Sequence, residues 1–197
     1  SFMIRPIVAY GDPVLKKKAK EIAADHLGLE ELIADMWETM YEASGVGLAA
    51  PKIGLSLRIF VIDARPFAED GETEQEKKQL ENFKKVFINP TLTEEGEEWS
   101  FNEGCLSIPD IREEVSRKDV VHIQYVDENF QKVTETYDGL CARVIQHEYD
   151  HIEGILFTDK LSSLKKRLIK GKLEKISRGE VDCDYRMKFP KNKKNRR

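Results

Sequence analysis

The sequence predicts an α+β fold, with antiparallel or mixed β-sheets around a central helix that carries His147 and His151, plus an N-terminal and a C-terminal helix. Two patterns favour this class. Apolar residues recur at the helical spacing near both ends of the chain, and short apolar or alternating runs bounded by turn residues fill the middle. Strands with helices interspersed toward the ends are typical of one α+β domain, which we place over residues 1–187.

The first half of the chain contains one clear helix and one clear strand. Residues 29–41 carry an apolar stripe on one helical face, and Ser44-Gly45 ends that helix. The small residues that follow, through Pro51, allow another backbone to approach closely. Residues 57–63 are typical of a buried strand. The segment 69–81 holds six acids and two lysines, so we expect an exposed, mobile loop there.

The second half alternates strands with two helices. Asp138 is suited to cap a helix that runs to Gly154, and a final amphipathic helix is expected at 163–177. The predicted strands, the last of which pairs back as a hairpin after a turn at 127–129, are 86–92, 98–101, 115–126 and 131–137.

Composition excludes several classes of protein. The 197 residues are 40% hydrophobic and 35% charged, which is typical of a globular chain, and no run approaches the roughly 20 apolar residues of a membrane helix. No signal sequence opens the chain, and three cysteines do not make a disulfide framework, so we expect a cytoplasmic protein without membrane contact.

Charge is distributed unevenly along the chain. Six of the 32 basic residues and none of the 36 acids lie in the tail 188–197, which leaves residues 1–187 with 26 bases, 36 acids and a net charge of −10. An acidic body argues against DNA binding. We therefore treat 188–197 as a separate basic C-terminal tail.

The segment His147-Glu148-Tyr149-Asp150-His151 has the HExxH pattern of metal-dependent hydrolases. Two histidines four residues apart lie on one helical face and can bind the same ion. Glu148 lies beside that ion, where it can exchange a proton with water. His26, His122 and Cys141 are expected to be structural or solvent-facing.

A third ligand would decide between kinds of HExxH enzyme. Phe157 stands where a metzincin has its third histidine, which excludes that class. Glu174 is the candidate third ligand if the chain is a small metalloendopeptidase. The stronger candidate is Cys105, a free cysteine within Glu103-Gly104-Cys105-Leu106-Ser107, although an isolated cysteine is as often a buried hydrophobe.

Three motifs occur in the order and separation seen in peptide deformylases, and the sequence resembles that family over at least residues 6–157. They are Gly45-Val46-Gly47-Leu48-Ala49-Ala50-Pro51-Lys52-Ile53-Gly54, Glu103-Gly104-Cys105-Leu106-Ser107 and Gln146-His147-Glu148-Tyr149-Asp150-His151.

The resemblance implies roles for these residues. Cys105, His147 and His151 match the metal ligands, with water as the fourth ligand. Glu148 matches the general base and acid, and Leu106 matches the residue whose backbone N–H holds the developing oxyanion.

The resemblance also implies the substrate and the ion. The substrate would be an N-formylmethionyl nascent peptide that loses formate. It would lie extended along Gly45, Val46 and Gly47, with Glu103, Gly104 and Arg112 near the pocket for its first side chain. The cofactor would be one divalent ion, with Fe²⁺ expected in the cell and Zn²⁺, Ni²⁺ or Co²⁺ able to replace it.

Lys52 departs from the family pattern, which has a glutamine that donates to the oxyanion. Near a divalent ion this lysine is expected to swing away, to lose its proton, or to stabilise the oxyanion itself. We predict the same reaction, and kinetics of Lys52→Gln would decide whether Lys52 hinders its rate. The alternatives are the Glu174 metalloendopeptidase and a metal-binding relative that Lys52 has weakened as a catalyst.

The charge of the tail and the size of the domain lead to two expectations about partners. The basic tail 188–197 can contact ribosomal RNA electrostatically, near the place where formylated chains emerge. A short acidic domain of this kind is expected to be a monomer.

Overall fold

A computed structural model describes residues 2–191, which form an α+β fold with an antiparallel sheet and four α-helices. The strands are β1 (Ile7–Val8), β2 (Gly47–Ala49), β3 (Ile59–Asp63), β4 (Lys84–Cys105), β5 (Ile108–Val126), β6 (Lys132–Asp138) and β7 (Met187–Lys188). The helices are α1 (Leu29–Glu42), α2 (Glu74–Glu81), α3 (Gly139–Ile152) and α4 (Ser163–Ser177).

The main sheet has five antiparallel strands in the order β2-β3-β4-β5-β6, so β2 is an edge strand. Strands β4 and β5 form a long hairpin that ends at the pair Cys105 and Ile108, with Leu106 and Ser107 between them. A second, two-stranded sheet pairs β1 with β7 in parallel, which brings the two ends of the described chain together.

Side chains of β3 alternate between the two faces of the main sheet, and each face is covered by one helix. Ile59 and Val61 pack with the apolar stripe of α1, whereas Phe60 and Ile62 pack with the buried side of α3. This alternation follows from the two-residue period of a strand. Most residues of α3 are buried.

A third apolar cluster packs α4 against the end of the β4–β5 hairpin. It joins Ile169 and Leu173 of α4 to Ile108 of β5 and to Phe157, which follows α3. Helix α4 begins after Ser162, whose hydroxyl accepts a hydrogen bond from the backbone N–H of Lys165. The helices predicted at 29–41 and 163–177 are thus present.

The segment 69–81 is mostly exposed, as its charge predicts, but it is not a loop throughout. Its second part is helix α2, which the hydroxyl of Thr73 caps by accepting from the N–H of Glu76. Leu80 is fully buried in the core, and a carboxylate oxygen of Glu76 accepts from the N–H of Leu140 at the start of α3. The buried side chain of Leu80 and the hydrogen bond between Glu76 and α3 therefore fix the position of a segment that has no apolar stripe.

Two further expectations differ in detail. The separate strands predicted at 86–92 and 98–101 are parts of the single strand β4, in which the pairing register shifts between Glu95 and Glu98, next to Gly96 at φ +91°. A local bulge of this kind interrupts the alternation without ending the strand. Asp138 does precede α3, but its side chain makes no capping hydrogen bond.

The chain continues in regular structure past the boundary placed at residue 187. Lys188 belongs to β7, and the ammonium of Lys191 lies 3.1 Å from a carboxylate oxygen of Glu174. The rest of the predicted tail, 192–197, lies outside the described residues, so the division at 187 stays a prediction. Within residues 2–191, the helices are too short or too polar to cross a bilayer.

Candidate metal centre

Helix α3 and the tip of the β4–β5 hairpin bring three ligand-type side chains together. The Nε2 atoms of His147 and His151, one helical turn apart, are separated by 3.3 Å, and Sγ of Cys105 lies 3.5 Å from Nε2 of His151. All three donor atoms lie within 4.8 Å of one another. Among residues 2–191, this is the group of three such side chains with the spacing of a metal site.

These distances match those of a tetrahedral ion. With bonds of about 2.05 Å to nitrogen and about 2.3 Å to sulfur, tetrahedral donors are separated by about 3.3 Å between nitrogens and about 3.6 Å between nitrogen and sulfur. One thiolate and two imidazoles also suit zinc or ferrous iron better than magnesium or calcium, which prefer oxygen. The donor set therefore fits a single transition-metal ion.

Protonation of the three side chains is arranged for binding. Burial would raise the pKa of the Cys105 thiol, but the charges of Lys52 and His147 lower it below its usual value. Burial and the nearby positive charges of Lys52, His147 and Arg117 hold the pKa of His151 well below its usual value. The lowered pKa of Cys105 favours the thiolate and that of His151 the neutral imidazole, the forms that bind metal.

His147 is oriented by Glu103, whose carboxylate oxygen accepts a hydrogen bond from its Nδ1 at 3.0 Å. This contact directs Nε2 toward the other donors, as in carboxylate–histidine–metal arrangements. Burial opposes a charge on His147, yet hydrogen bonds with Cys105 and Glu103 raise its pKa to about 9 in the ion-free chain. On its far side, the ring of Phe157 stacks on His147 at 6.2 Å.

Glu103 also joins a buried charge network. Nε of Arg117 donates to it at 2.7 Å and Nη1 of Arg143 at 2.7 Å, while Nη1 of Arg117 also donates to Asp150 at 2.7 Å. Burial alone would raise the pKa of Glu103, but hydrogen bonds from His147 and Arg117 hold it well below its usual value. Two guanidinium groups and two carboxylates thus balance behind the metal ligands.

Glu148 follows the first histidine ligand and faces Lys52. Nζ of Lys52 lies 3.0 Å from Oε1 and 3.2 Å from Oε2 of Glu148. Burial opposes the charge on Lys52, but Glu148 and Cys105 raise its pKa, so the ammonium is retained. Gly47 lies directly against this carboxylate, because a Cβ there would be 2.7 Å from Oε2 of Glu148.

Leu106 occupies the turn at the hairpin tip, next to the ligand Cys105. Its side chain lies against Gly45, where a Cβ would be 2.9 Å from Cδ1 of Leu106. The small residues of the 45–47 segment therefore admit two side chains, Leu106 and Glu148, rather than the backbone that the sequence predicts. Gln146 faces away, donating to the carbonyl oxygens of Lys118 and Ala142.

One cavity of about 610 Å³ gathers almost all of the site residues expected from the sequence. His151, buried behind the cavity wall, is the exception. The lining residues among those predicted are Gly45, Val46, Gly47, Lys52, Glu103, Gly104, Cys105, Leu106, Arg112, His147 and Glu148.

Glu174, the alternative third ligand, does not join this group. It lies on α4, its side chain is 44% exposed, and its carboxylate pairs with Lys191. Arg112 is exposed at the cavity, and its Nη2 donates to the carbonyl oxygen of Asn102. Cys141 belongs to α3 and is buried in the core, and His122 pairs with Glu95 on the β4–β5 hairpin.

Sequence reasoning does not single out the arginines behind the ligands, nor the segment 182–185 that lines one side of the cavity. A signal for Arg117 does exist. It lies two residues after the buried Val115 in β5, so strand alternation directs both inward, and a charged residue at such a position needs a buried partner. The segment 182–185 carries no comparable pattern.

The sequence of this chain matches one family model and several known proteins over most of its length. The sequence model of the polypeptide deformylase family matches residues 4–167. The peptide deformylase of Christiangramia forsetii is 65% identical over 196 residues, covering 98% of this chain and 100% of the relative. That of Flavobacterium johnsoniae is 61% identical over 196 residues, with the same coverage.

Solved structures of peptide deformylases are similar to this chain in fold. The crystal structure of a peptide deformylase from Legionella pneumophila has a TM-score of 0.75 and 38% sequence identity, and the match covers 90% of this chain and 98% of that one. Matches of this identity and extent leave one conclusion: the chain belongs to the polypeptide deformylase family.

Proposed function

We propose that this chain removes the formyl group from N-formylmethionyl nascent peptides and releases formate, with Cys105, His147 and His151 holding one divalent ion. The observation that carries this proposal is the 3.3 Å and 3.5 Å spacing of the three donor atoms beside the carboxylate of Glu148, at the wall of one cavity. Family membership supplies the reaction, and the geometry supports the assignment of these residues.

Glu148 is the proton carrier in this proposal. When bound, a divalent ion supplies Lewis acidity that makes a water molecule acidic enough to attack at neutral pH. Glu148 accepts the proton of the attacking water and passes it to the leaving amine, so that formate departs and a free N-terminus remains. Its position against Gly47 places the carboxylate at the edge along which the substrate would lie.

The developing negative charge needs donors from the chain. The backbone N–H of Leu106 is one, and the ammonium of Lys52 is the second, since its side chain is 2% exposed and has not turned away from the site. The ammonium of Lys52 then has two roles. It pairs with Glu148 in the free chain and stabilises the oxyanion during the reaction.

The substrate would bind as an added strand. Strand β2 is at the edge of the main sheet, and residues 44–47 line the cavity. Backbone pairing at such an edge is indifferent to side chains, so that the cavity selects only the first one. A methionine suits a pocket of this kind, because its side chain is long, apolar and flexible.

The ion, the compartment and the partners are further parts of this proposal. Fe²⁺ is the ion expected in the cell, with Zn²⁺, Ni²⁺ or Co²⁺ in purified protein, and a ferrous thiolate site would make Cys105 sensitive to oxidation. We expect a cytoplasmic monomer whose basic tail contacts the ribosome. Truncation after residue 187 should then weaken ribosome association and its dependence on salt.

Formate release from a formyl-Met dipeptide tests the proposal directly. Protein reconstituted anaerobically with Fe²⁺, Ni²⁺ or Co²⁺ is expected to release formate with each ion. Cys105→Ser should lose most of its bound metal, whereas Glu174→Ala should keep both metal and activity. Full metal content in Cys105→Ser, or no formate with any of the ions, would contradict the proposal.

A further inference from the structure

The turn that carries Leu106 is held by two hydrogen bonds from outside the hairpin. The hydroxyl of Tyr185 donates to the carbonyl oxygen of Leu106 at 2.6 Å. The backbone N–H of Tyr10 donates to the carbonyl oxygen of Ser107 at 2.9 Å. Both residues of the turn are therefore anchored by segments near the two ends of the described chain.

The segment around Tyr185 is itself fixed in place. The residue after it, Arg186, accepts a hydrogen bond from the N–H of Ile7 at 3.0 Å, and Lys188 accepts one from the N–H of Ala9 at 2.9 Å. These bonds belong to the parallel pairing of β1 with β7. Tyr185 thus lies two residues before the paired strand β7 and not at a free end.

This segment also forms one side of the substrate cavity. Residues 182–185 line the cavity together with Cys105, Leu106 and Glu148. The match to the family's sequence model ends at residue 167, so this part of the wall comes from outside the matched region. Its contribution to the site has to be inferred from the contacts of this chain.

We infer that Tyr185 is a positioning residue, which holds Leu106 so that its backbone N–H faces the formyl oxygen of the substrate. The inference rests on the proposed function and extends it to a residue beyond the three motifs. Leu106 lies between two peptide groups: the first follows the ligand Cys105, and the second accepts the hydrogen bond of Tyr185.

The N–H of Leu106 belongs to the first of these peptide groups, so fixing the two groups on either side of Leu106 fixes its direction. A donor that is already aimed stabilises developing charge without having to reorganise, whereas a donor on a loose turn does not. Although Tyr185 lines the cavity, the role inferred for it is not to bind the reacting formyl group or the ion. It acts through the backbone of Leu106.

Tyr185→Phe is the test, because it removes the hydroxyl and keeps the ring. On a formyl-Met dipeptide we expect kcat to fall about threefold to tenfold, the effect of one hydrogen bond, while KM changes less than twofold. In the Zn²⁺-loaded protein, NMR should show severalfold faster amide exchange at Leu106 and Ser107. Metal content should equal that of the wild type.

Tyr125→Phe is the matched control. Its hydroxyl donates to Glu135 on the β5–β6 hairpin, away from the cavity, so kcat and exchange at the turn should stay at wild-type values. A Tyr185→Phe variant with wild-type kcat and wild-type exchange would overturn the inference alone. A fall in thermal stability with kcat and KM unchanged would overturn it too, by showing a purely structural role.

The proposed function fails separately. Wild-type protein that releases no formate overturns that function and the inference with it, whereas an active wild type leaves the kcat of Tyr185→Phe to decide the inference.

Discussion

Nζ of Lys52 lies 3.0 Å from Oε1 of Glu148, and the two side chains are only 2% and 4% exposed. A buried ion pair of this kind contributes little net stability, but removing one partner leaves the other charged and buried. Here the second partner is the carboxylate to which we assign the proton transfer. If that assignment holds, the pair links Lys52 directly to the catalytic group.

Substitution of Lys52 separates its charge from its ability to donate. Lys52→Gln keeps a donor, so kcat for a formyl-Met dipeptide should stay within about tenfold of wild type. Lys52→Met keeps only the length of the side chain, and kcat should fall by about 10²–10³. Steady-state kinetics on protein of equal metal content measures both, and a Met variant with wild-type kcat would exclude Lys52 as an oxyanion donor.

Loss of Glu103 should affect stability and metal binding together. In Glu103→Ala, Arg117 and Arg143 lose a buried counter-charge, and we expect the free energy of unfolding to fall by about 3–5 kcal/mol. Metal affinity should fall about 10–100-fold, because His147 loses the partner of its Nδ1. Urea denaturation and competition with a chelator measure the two effects.

The control for this change is Glu113→Gln. Glu113 pairs at 2.8 Å with Lys165, whose side chain is 48% exposed, so the loss should be under about 1 kcal/mol. Similar losses for the two variants would show that the buried network has no special role.

Metal binding should displace about one proton at neutral pH. Burial opposes the charge on His147, but its hydrogen bonds with Cys105 and Glu103 raise its pKa to about 9, while the pKa of Cys105 is lowered. At neutral pH the free protein is therefore expected to hold a proton on His147, while the lowered pKa of Cys105 favours its thiolate. Affinity should tighten as the pH rises toward 9, where that proton is lost.

Calorimetric titration with Zn²⁺ in two buffers of different ionisation enthalpy counts the released protons. Two protons per ion would mean that Cys105 is a thiol in the free protein, and none would mean that His147 is already neutral.

Asp63 should make stability depend on pH at the acid end. Hydrogen bonds from Arg65, against a smaller effect of burial, and one from Tyr41 lower its pKa from 3.8 to about 2. A lowered folded-state pKa stabilises the protein above pH 4 and loses that contribution as pH falls toward 2. Asp63→Asn should cost about 1–2 kcal/mol at pH 6, since Arg65 is half exposed, and much less at pH 2.5.

Equilibrium denaturation of both proteins at the two pH values tests this dependence. The exposed Asp25, changed to Asn, should show no such difference. An Asp63→Asn effect that is equal at both pH values would rule out the linkage.

Elements with a strong period could be predicted from the sequence, and α1 and α4 are examples. Helix α2 could not be predicted in this way. Its one buried side chain, Leu80, gives no apolar stripe, and Glu76 of α2 contacts Leu140 of α3, which is 64 residues away in the sequence. Strand β4 was divided in the prediction because the bulge near Gly96 breaks the alternation that defines a strand. Local patterns fail where distant contacts supply the stability.

The candidate site shows the same limit. The HExxH spacing points to His147 and His151, and the ordered motifs add Cys105 and Leu106. The strand alternation that places Arg117 inward does not show what it pairs with, and the segment that contains Tyr185 carries no periodic signal at all. Only the structure shows that Glu103 orients His147, a candidate ligand, and at the same time pairs with two arginines.

The donor atoms come from two separate elements, the tip of the β4–β5 hairpin and helix α3. An ion bound there would act as a cross-link between parts of the chain that are distant in sequence, and it would do so only in the native state. Heat resistance should then follow the supply of metal: at a free concentration a thousand times Kd, the ion would add about 4 kcal/mol. Loss of the ion would thus favour unfolding of this protein as well as loss of its activity.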